Sequence, residues 1–373
     1  MNTKIYLDNN ATTKCDEEIL KAMLPYLNEQ YGNPSSTYSF GKDVKDEITK
    51  ARKNIAKLLN ANENEIIFTS CASESNVTAV LSAVRNRDKK HIITTSIEHA
   101  SIMETMKYLE SIGYEITYLK VDKLGRINLQ DLENSITENT CLIAIMMANN
   151  EIGNIYPIKE IGEIAKKYHI LFHCDSVQAI GKIKIDVKDL NVDTLSLSGH
   201  KINAPKGIGV LYIKNGIPFT PLIFGHQESN RRGGTENVPY IIGLGKAVEL
   251  ILEDNYNLNT KLKDLRDYME KEIKNCIDDV IIYGDLDNRL PNTSNIAFKG
   301  VKAEELMLML EAFDIFVSTG SACNSEMAEL SHVLTACKAD LINYSPIRVS
   351  LGKYNTKEEI DIFVKRLQNI VNM

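Results

Sequence analysis

Lys201 and Asp175 are the two residues whose types and positions most clearly indicate a chemistry. Lys201 ends the run Ser198-Gly199-His200-Lys201, which follows the apolar segment Val192–Leu197, and Asp175 lies shortly after the apolar segment Ile170–Phe172. Pyridoxal phosphate (PLP) requires an amine that forms a Schiff base and a carboxylate that keeps the pyridine nitrogen protonated, so that the ring accepts electrons. An aspartate and a lysine at the ends of two strands supply both groups. The spacing therefore predicts a PLP enzyme.

A phosphate site is predicted where the run Phe68–Asn76 links a strand-like segment to a helix that starts near Ser73. Free backbone N–H groups and the helix dipole favour an anion at such a junction. We expect Ala72 and Ser73 to lie against the phosphate, with Ser198 and His200 as further donors. Taken alone, Ser73 is more simply explained as the N-cap of the helix. The nearby aspartate and lysine make the phosphate interpretation the better one.

Three more polar residues follow apolar runs and are candidates for contacts to the cofactor ring. His99 is expected to stack on the ring face and to transfer protons, and Asn150 and Gln178 are expected to donate to the 3′-oxygen. Each has a structural alternative, because a lone histidine after a strand is more often structural and both amides would suit surface turns. Their shared position after apolar runs favours the functional interpretation.

Short apolar runs alternate with amphipathic segments such as Lys159–Tyr168 from about residue 16 to residue 255. The strand-like runs are Glu65–Thr69, His91–Thr95, Glu115–Leu119, Cys141–Met147, Ile170–Phe172, Thr194–Leu197 and Gly209–Ile213. Alternating strands and helices predict an α/β fold with a mostly parallel seven-stranded sheet flanked by helices. In such sheets ligands bind beyond the carboxyl ends of the strands, which is where the candidate residues are expected.

The pattern changes near residue 256, where the charged segment Leu258–Lys274 predicts a long helix before shorter strands and helices. We expect a large PLP-binding domain at residues 15–255 and a smaller α+β domain made of residues 1–14 and 256–373. In the large domain, Asp16 is expected to cap a helix. The expected buried face of that helix is Leu20, Met23, Leu24 and Leu27.

The composition excludes several classes of protein. The 373 residues carry a net charge of −7, which argues against nucleic acid as a partner. The apolar runs are too short to cross a membrane, and residues 1–6 lack the apolar core of a signal peptide. Seven cysteines without CxxC pairs or metal-ligand spacing suit a reducing compartment, so that a cytoplasmic protein without a metal site is expected.

Longer motifs closely resemble the NifS/IscS-type cysteine desulfurases, which are PLP enzymes of fold type I in the class-V aminotransferase family. The resemblance runs along nearly the whole chain. Its motifs are Tyr6–Thr13, Gly32–Ser36, Glu98-His99, Ala148–Gly153, Ser198–Lys201, Arg232–Val238, Ser318–Cys323 and Ile347–Gly352. The long stretch between Cys323 and Arg348 resembles the extended catalytic-loop group, and Thr235-Glu236-Asn237-Val238 resembles the NifS-like branch.

This resemblance implies a cysteine desulfurase that converts L-cysteine to L-alanine. Cys323, in the small-residue segment Gly320-Ser321-Ala322, would be the nucleophile that accepts the sulfur as a persulfide. Lys201 would remove the α-proton, and His99 would assist the release of alanine. The product sulfur would pass to an iron–sulfur scaffold protein or another acceptor, and Cys323 could contact a nascent iron–sulfur cluster.

The resemblance also implies substrate and subunit contacts. Arg348 would bind the substrate carboxylate through two parallel hydrogen bonds, with Asn33 beside it. Thr235 would reach the phosphate bound by the other subunit, which makes a homodimer the functional unit. Two residues at the phosphate junction depart from the usual pattern, since Cys71 stands where glycine is usual and Ser73 where threonine is usual. Serine keeps the hydroxyl group, whereas Cys71 adds a Cβ atom at a tight turn.

Two kinds of alternative remain open from the sequence. A selenocysteine lyase or a transaminase would share the fold and the cofactor. A catalytically inactive assembly subunit would share only the fold, but it has no chemical need for Lys201, Asp175, Cys323 and Arg348 together.

Overall fold

The computed structural model describes residues 4–319 and 330–372. Two 3-10 turns, Glu63–Glu65 and Gly199–Lys201, accompany the strands and helices. The strands are β1 (Ile5–Tyr6), β2 (Ile66–Thr69), β3 (His91–Thr95), β4 (Glu115–Leu119), β5 (Thr140–Met146), β6 (Leu171–Asp175), β7 (Thr194–Ser198), β8 (Gly209–Ile213), β9 (Val280–Tyr283), β10 (Thr293–Lys299), β11 (Ile315–Phe316) and β12 (Tyr344–Ser350).

The helices lie between these strands and after β12, and the segments predicted at Lys159–Tyr168 and Leu258–Lys274 are helices at Ile158–Lys167 and Asn257–Cys276. They are α1 (Glu17–Met23), α2 (Pro25–Asn28), α3 (Ser39–Leu59), α4 (Ala72–Arg85), α5 (Ala100–Ser111), α6 (Leu129–Asn134), α7 (Ile158–Lys167), α8 (Gln227–Asn230), α9 (Val238–Asp254), α10 (Asn257–Cys276), α11 (Ala303–Glu311), α12 (His332–Ala336) and α13 (Lys357–Val371). In the described part of the chain, no helix is long and apolar enough to cross a membrane.

The central sheet has seven strands in the order β2-β8-β7-β6-β5-β3-β4. Strand β8 is antiparallel to both of its neighbours, and the other pairings are parallel. The predicted mostly parallel sheet is therefore confirmed. Because six strands run in the same direction, their carboxyl ends meet at one edge of the sheet.

Strand β5 shows why these apolar runs form central strands. All seven of its residues are buried. Ile143 and Ile145 face the larger hydrophobic core, whereas Leu142 and Ala144 face a second core on the opposite side of the sheet. Since successive side chains point to opposite faces, a strand covered by helices on both faces reads as a continuous apolar run.

Helix α1 corrects one prediction. Asp16 is the N-cap, as predicted, and its carboxylate accepts the N–H of Glu18. The buried residues are Ile19 and Met23, however, and not the expected leucines. These leucines are about half exposed: Leu20 (47%), Leu24 (50%) and Leu27 (57%). The helix ends before Pro25, so the assumed periodicity does not continue across the break.

The strands and helices that precede and follow the central sheet in the sequence contribute to a separate hydrophobic core. Strand β1 pairs with β11, and β10 lies between β9 and β12 in an antiparallel sheet. Apolar side chains of these strands pack with α10, α11 and α13 around Phe298 and Phe363. The domain division near residue 256 stays a prediction, although this core is consistent with it.

Helices α3 and α9 approach each other closely on one face of the central sheet. A Cβ atom added at Gly245 of α9 would lie 2.5 Å from the Cβ atom of Ala51 and 2.7 Å from its Cα atom. Two residues earlier in α9, a Cβ atom at Gly243 would meet mainly the flexible end of Met23, with the sulfur at 2.7 Å. The two glycines lie on one helix, but an added Cβ atom would meet the Ala51 backbone at Gly245 and side-chain atoms at Gly243.

Gly245→Ala is expected to destabilise the protein by about 1–3 kcal/mol, because helix backbones must move apart to admit the methyl group. Gly243→Ala is the matched control, because its methyl group meets only side chains, those of Met23 and, at 3.2 Å, Pro205, while alanine favours the helix by about 1 kcal/mol. Thermal unfolding of the two variants and the wild type measures the difference. An equal loss in both variants would contradict the close contact between α3 and α9.

Candidate active site

A cavity of about 670 Å³ opens at the carboxyl edge of the central sheet. Its walls come from the segments that follow β2, β3, β5, β6 and β7, as expected for a sheet of this topology. Ten of the predicted site residues line it: Ala72, Ser73, His99, Asn150, Asp175, Gln178, Ser198, His200, Lys201 and Arg348. The sequence thus identified residues that are far apart in the chain and share one cavity.

Three other predicted site residues are not among those that line this cavity. Asn33 is exposed, and its side chain accepts the N–H of Ser35 at 2.9 Å. Thr235 is also exposed. Cys323 lies outside the described residues, so its predicted role stays a prediction.

Asp175 ends β6 and is only 5% exposed. Its carboxylate accepts Nδ2–H of Asn76 at 2.8 Å and the N–H of Val177 at 3.0 Å. The Oδ1 atom of Asn76 lies 3.0 Å from Nε2 of His173, and burial lowers the pKa of His173 to about 4, so that this ring is neutral. Among the described residues, no lysine, arginine or histidine forms an ion pair with Asp175. The cavity therefore contains a buried carboxylate that is held by neutral donors.

Lys201 follows β7 and points toward the N-terminal segment. Its Nζ atom donates to the backbone carbonyl groups of Asn10 and Ala11, the latter at 2.9 Å. Sequence reasoning did not assign these two residues to the site. Their signal was the motif Tyr6–Thr13, which stands far from Lys201 in sequence and contains them.

The junction between β2 and α4 has the geometry of an anion site. Helix α4 begins at Ala72, and its N-cap is Cys71, whose Sγ atom accepts the N–H of Glu74 at 3.5 Å. The alternative that Ser73 is the N-cap is therefore wrong, because Ser73 lies inside the first turn and lines the cavity. Cys71 has a φ of −171°, which any residue adopts, so the backbone does not require glycine there.

Space at this junction comes instead from Gly209 on the neighbouring strand β8. A Cβ atom at Gly209 would lie 2.6 Å from the carbonyl carbon of Cys71 and 3.0 Å from the backbone nitrogen of Ala72. A side chain at position 209 would thus push into the first turn of α4. The absence of that side chain keeps the N–H groups of the turn accessible.

His99 caps helix α5, and this contact determines which ring nitrogen carries the proton. Its Nδ1 atom accepts the N–H of Ser101 at 3.1 Å, so that the neutral ring carries its proton on Nε2. Glu98, which precedes it, is fully buried and accepts the hydroxyl group of Thr95 at 2.6 Å and the N–H of Met146 at 3.1 Å. Burial raises the pKa of Glu98 to about 8. Through its hydrogen bonds the neutral acid joins the turn that contains His99 to the end of β5.

His200 and Ser198 lie next to Lys201 at the end of β7. The Nδ1 atom of His200 is 3.1 Å from the hydroxyl group of Thr12. Burial, followed by the nearby charge of Lys201, lowers the pKa of His200 to about 4. The ring is therefore neutral at physiological pH, and it lines the cavity as a polar group that carries no charge.

Arg348 on β12 adds a cation to the lining of the cavity. Its side chain is 2% exposed. One terminal nitrogen pairs with Asp8 at 2.6 Å, and the other donates to the carbonyl group of Asn150 at 3.2 Å. These contacts hold the guanidinium plane in place. Asp8 is a further residue that sequence reasoning did not assign to the site.

These features fit PLP. A buried carboxylate without a described cationic partner suits a protonated ring nitrogen, and a lysine and an accessible helix N-terminus lie on the same cavity. In the described residues, no group of three or more histidine, cysteine, aspartate or glutamate side chains is arranged to hold a metal ion.

Comparison with known proteins gives the same family. The profile of the class-V aminotransferases matches residues 5–363. Cysteine desulfurase IscS of Methanosarcina thermophila is 50% identical over 374 residues, which cover 99% of this chain and 92% of that protein. A solved structure described as a NifS-like protein has a TM-score of 0.93 at 39% identity and covers 99% of this chain and 100% of its own. The structure of SspA in complex with cysteine has a TM-score of 0.82 at 37% identity and covers 95% and 100%, respectively. The chain therefore belongs to the class-V aminotransferase family and, within it, to the NifS/IscS-type cysteine desulfurases.

Proposed function

We propose that this PLP-dependent enzyme removes sulfur from L-cysteine, releases L-alanine and carries the sulfur as a persulfide on Cys323. The observation that supports this proposal most strongly is the shared cavity of Lys201, Asp175, His99 and Arg348 in a chain of this family. Each of these residues supplies one group that the reaction requires.

Asp175 and Lys201 would hold the cofactor at its two reactive ends, and the first turn of α4 with Ser73, Ser198 and His200 would hold its phosphate. When bound, PLP supplies a protonated ring that accepts the electron pair released at the substrate α-carbon. The buried Asp175 carboxylate keeps that ring protonated, because charge attraction is strong where water is excluded. Asn150 and Gln178 line the same cavity and would contact the ring oxygen.

Arg348 would bind the carboxylate of L-cysteine. Its guanidinium group is already oriented by Asp8 and by the carbonyl group of Asn150, so little side-chain freedom is lost on binding. Asn33 is proposed as a second contact to that carboxylate, although it is exposed in the single chain.

Proton transfer would use Lys201 and His99. A neutral Lys201 amine accepts the α-proton of the substrate. The carbonyl groups of Asn10 and Ala11 help to orient this amine. His99 presents a proton on Nε2, because Nδ1 is occupied by the N–H of Ser101. This proton can be delivered to the carbon that loses sulfur.

The sulfur step is balanced without an external oxidant. The Cys323 thiolate attacks the substrate sulfur, an S–S bond forms, and the C–S bond of the substrate breaks. The carbon retains the electron pair of the broken bond and takes up a proton, so that alanine leaves. A thiol reductant or an acceptor protein then removes the outer sulfur atom from Cys323.

A homodimer is proposed as the functional unit, with Thr235 reaching the phosphate bound by the other subunit. Exposed apolar side chains near the N-terminus, including Leu24, Leu27, Tyr31 and Phe40, support an interface in that region. We further propose an iron–sulfur scaffold protein or another acceptor as the partner, and a cytoplasmic location in view of the free cysteines.

A division of labour between two domains is also proposed. Residues 15–255 would bind the cofactor, and residues 1–14 with 256–373 would carry Cys323. The separate hydrophobic core around Phe298 and Phe363 supports this division.

Cys323→Ser is expected to bind PLP normally but to lose alanine formation from L-cysteine by several orders of magnitude, because the sulfur acceptor is absent. Alanine release in the presence of a thiol reductant is the measurement. Cys276→Ser is a suitable control, since Cys276 is a partly exposed thiol on α10 outside the cavity. Equal alanine release by Cys323→Ser and the wild type would remove Cys323 from the reaction and favour a lyase.

Asp175→Asn is expected to lower the rate of alanine formation on the order of 10³-fold, because an ion pair at 4 Å contributes roughly 4 kcal/mol at an effective dielectric constant of about 20. The asparagine oxygen can still accept one of the two present hydrogen bonds. The matched control is Asp193→Asn. Asp193 directly precedes β7, at the end of that strand away from Lys201, and pairs with Lys214. An unchanged rate in Asp175→Asn would rule out its proposed contact with the cofactor.

A further inference from the structure

Lys182 is a lysine near the cavity that the reaction proposed above does not use. Its Nζ atom donates to the backbone carbonyl group of Gln178 at 3.0 Å and to Oε1 of the same residue at 3.3 Å. Among the described residues, Lys182 takes part in no ion pair within 4 Å. Burial, followed by the nearby charge of Lys201, lowers the pKa of Lys182 to about 7. Holding one lysine close to another without a carboxylate partner costs free energy of folding. A lysine exposed to solvent would avoid this cost.

The contacts of Gln178 show what this lysine does. The other end of its amide, Nε2, donates to the carbonyl group of Asn10 at 3.0 Å. A carbonyl group can only accept, and a protonated lysine can only donate, so below the Lys182 pKa of about 7 both neighbours require the same amide orientation. Oε1 points toward Lys182, and Nε2 points toward Asn10.

The same carbonyl group of Asn10 also accepts Nζ of Lys201. A continuous series of hydrogen bonds thus runs from Lys182 through Gln178 to the carbonyl group of Asn10, which also accepts a hydrogen bond from Lys201. Gln178 is 5% exposed and lines the cavity. An amide turned the other way would place an acceptor against the Asn10 carbonyl and leave the cavity without this donor.

We propose that Lys182 is a positioning residue, which fixes the orientation of the Gln178 amide so that its N–H group faces the cofactor cavity. The inference rests on the proposed assignment of Gln178 to the cofactor. Lys182 itself does not touch the reacting atoms and acts through Gln178. In the wild type the donor is therefore in place before the cofactor binds, which reduces the ordering that binding requires.

The test is a double-mutant cycle on cofactor affinity, in which the apoprotein is titrated with PLP and followed by visible absorbance. Lys182→Met is expected to weaken binding by a factor of about 2 to 10, the range for one lost hydrogen bond. Lys182→Arg keeps a charged donor and is expected to stay within about twofold of the wild type. In a Gln178→Leu background, Lys182→Met is expected to have no further effect. Lys184→Met, at an exposed lysine two residues away, is the control and is expected to bind like the wild type.

Each other outcome overturns the inference. If Lys182→Met binds PLP like the wild type, Lys182 does not position the amide. If it weakens binding equally in the Gln178→Leu background, Lys182 acts directly on Lys201 or on folding. If Gln178→Leu alone has no effect, Gln178 does not contact the cofactor. Lys182→Ala, which also lacks a donor, replaces Lys182→Met if the latter fails to fold, and alanine formation by the wild type reports separately on the proposed function.

Discussion

The site depends on one electrostatic constraint, which is the burial of the Asp175 carboxylate at the end of β6. A buried charge is costly unless its surroundings compensate for it. Here Asn76 and the N–H of Val177 provide neutral hydrogen bonds, while the neighbouring His173 is kept uncharged by burial. Glu98, a second carboxyl group nearby, has a pKa of about 8 and does not add a full negative charge at neutral pH. Asp175 therefore supplies a buried carboxylate that would suit a cationic ring nitrogen.

The N-terminal segment joins the parts of the molecule around this charge. Asp8 pairs with Arg348, and the carbonyl group of Asn10 accepts Lys201. Asp16, which caps α1, also accepts Lys353 and the hydroxyl group of Tyr354. Burial alone would raise the pKa of Asp16, but these hydrogen bonds lower it overall. Short polar contacts thus join both cationic residues of the site to this one segment.

Sequence reasoning predicted the central sheet well, because its strands are buried on both faces and appear as continuous apolar runs. The seven strands begin and end within about two or three residues of the predicted positions. The polar residues at their carboxyl ends were found for the same reason, since strand direction determines where they meet. The predicted face of helix α1 is right at Met23 but wrong at its three leucines, and only Leu27 lies beyond Pro25, where α1 has ended. Asn76, Asp8 and Lys182 were not assigned, because their roles depend on partners that are distant in sequence and that local patterns do not reveal.

The long separation between these partners has a consequence for biosynthesis. Asp8 and Arg348 are 340 positions apart, and Asn10 and Lys201 are 191 positions apart. Contacts of such long range form slowly, since a large part of the chain must be ordered before they are gained. On the ribosome, Asp8 emerges long before Arg348, so their ion pair must wait for the synthesis of the residues between them. The strands of the central sheet are all made before β12, so the substrate end of the cavity can be completed only after the sheet has been synthesised.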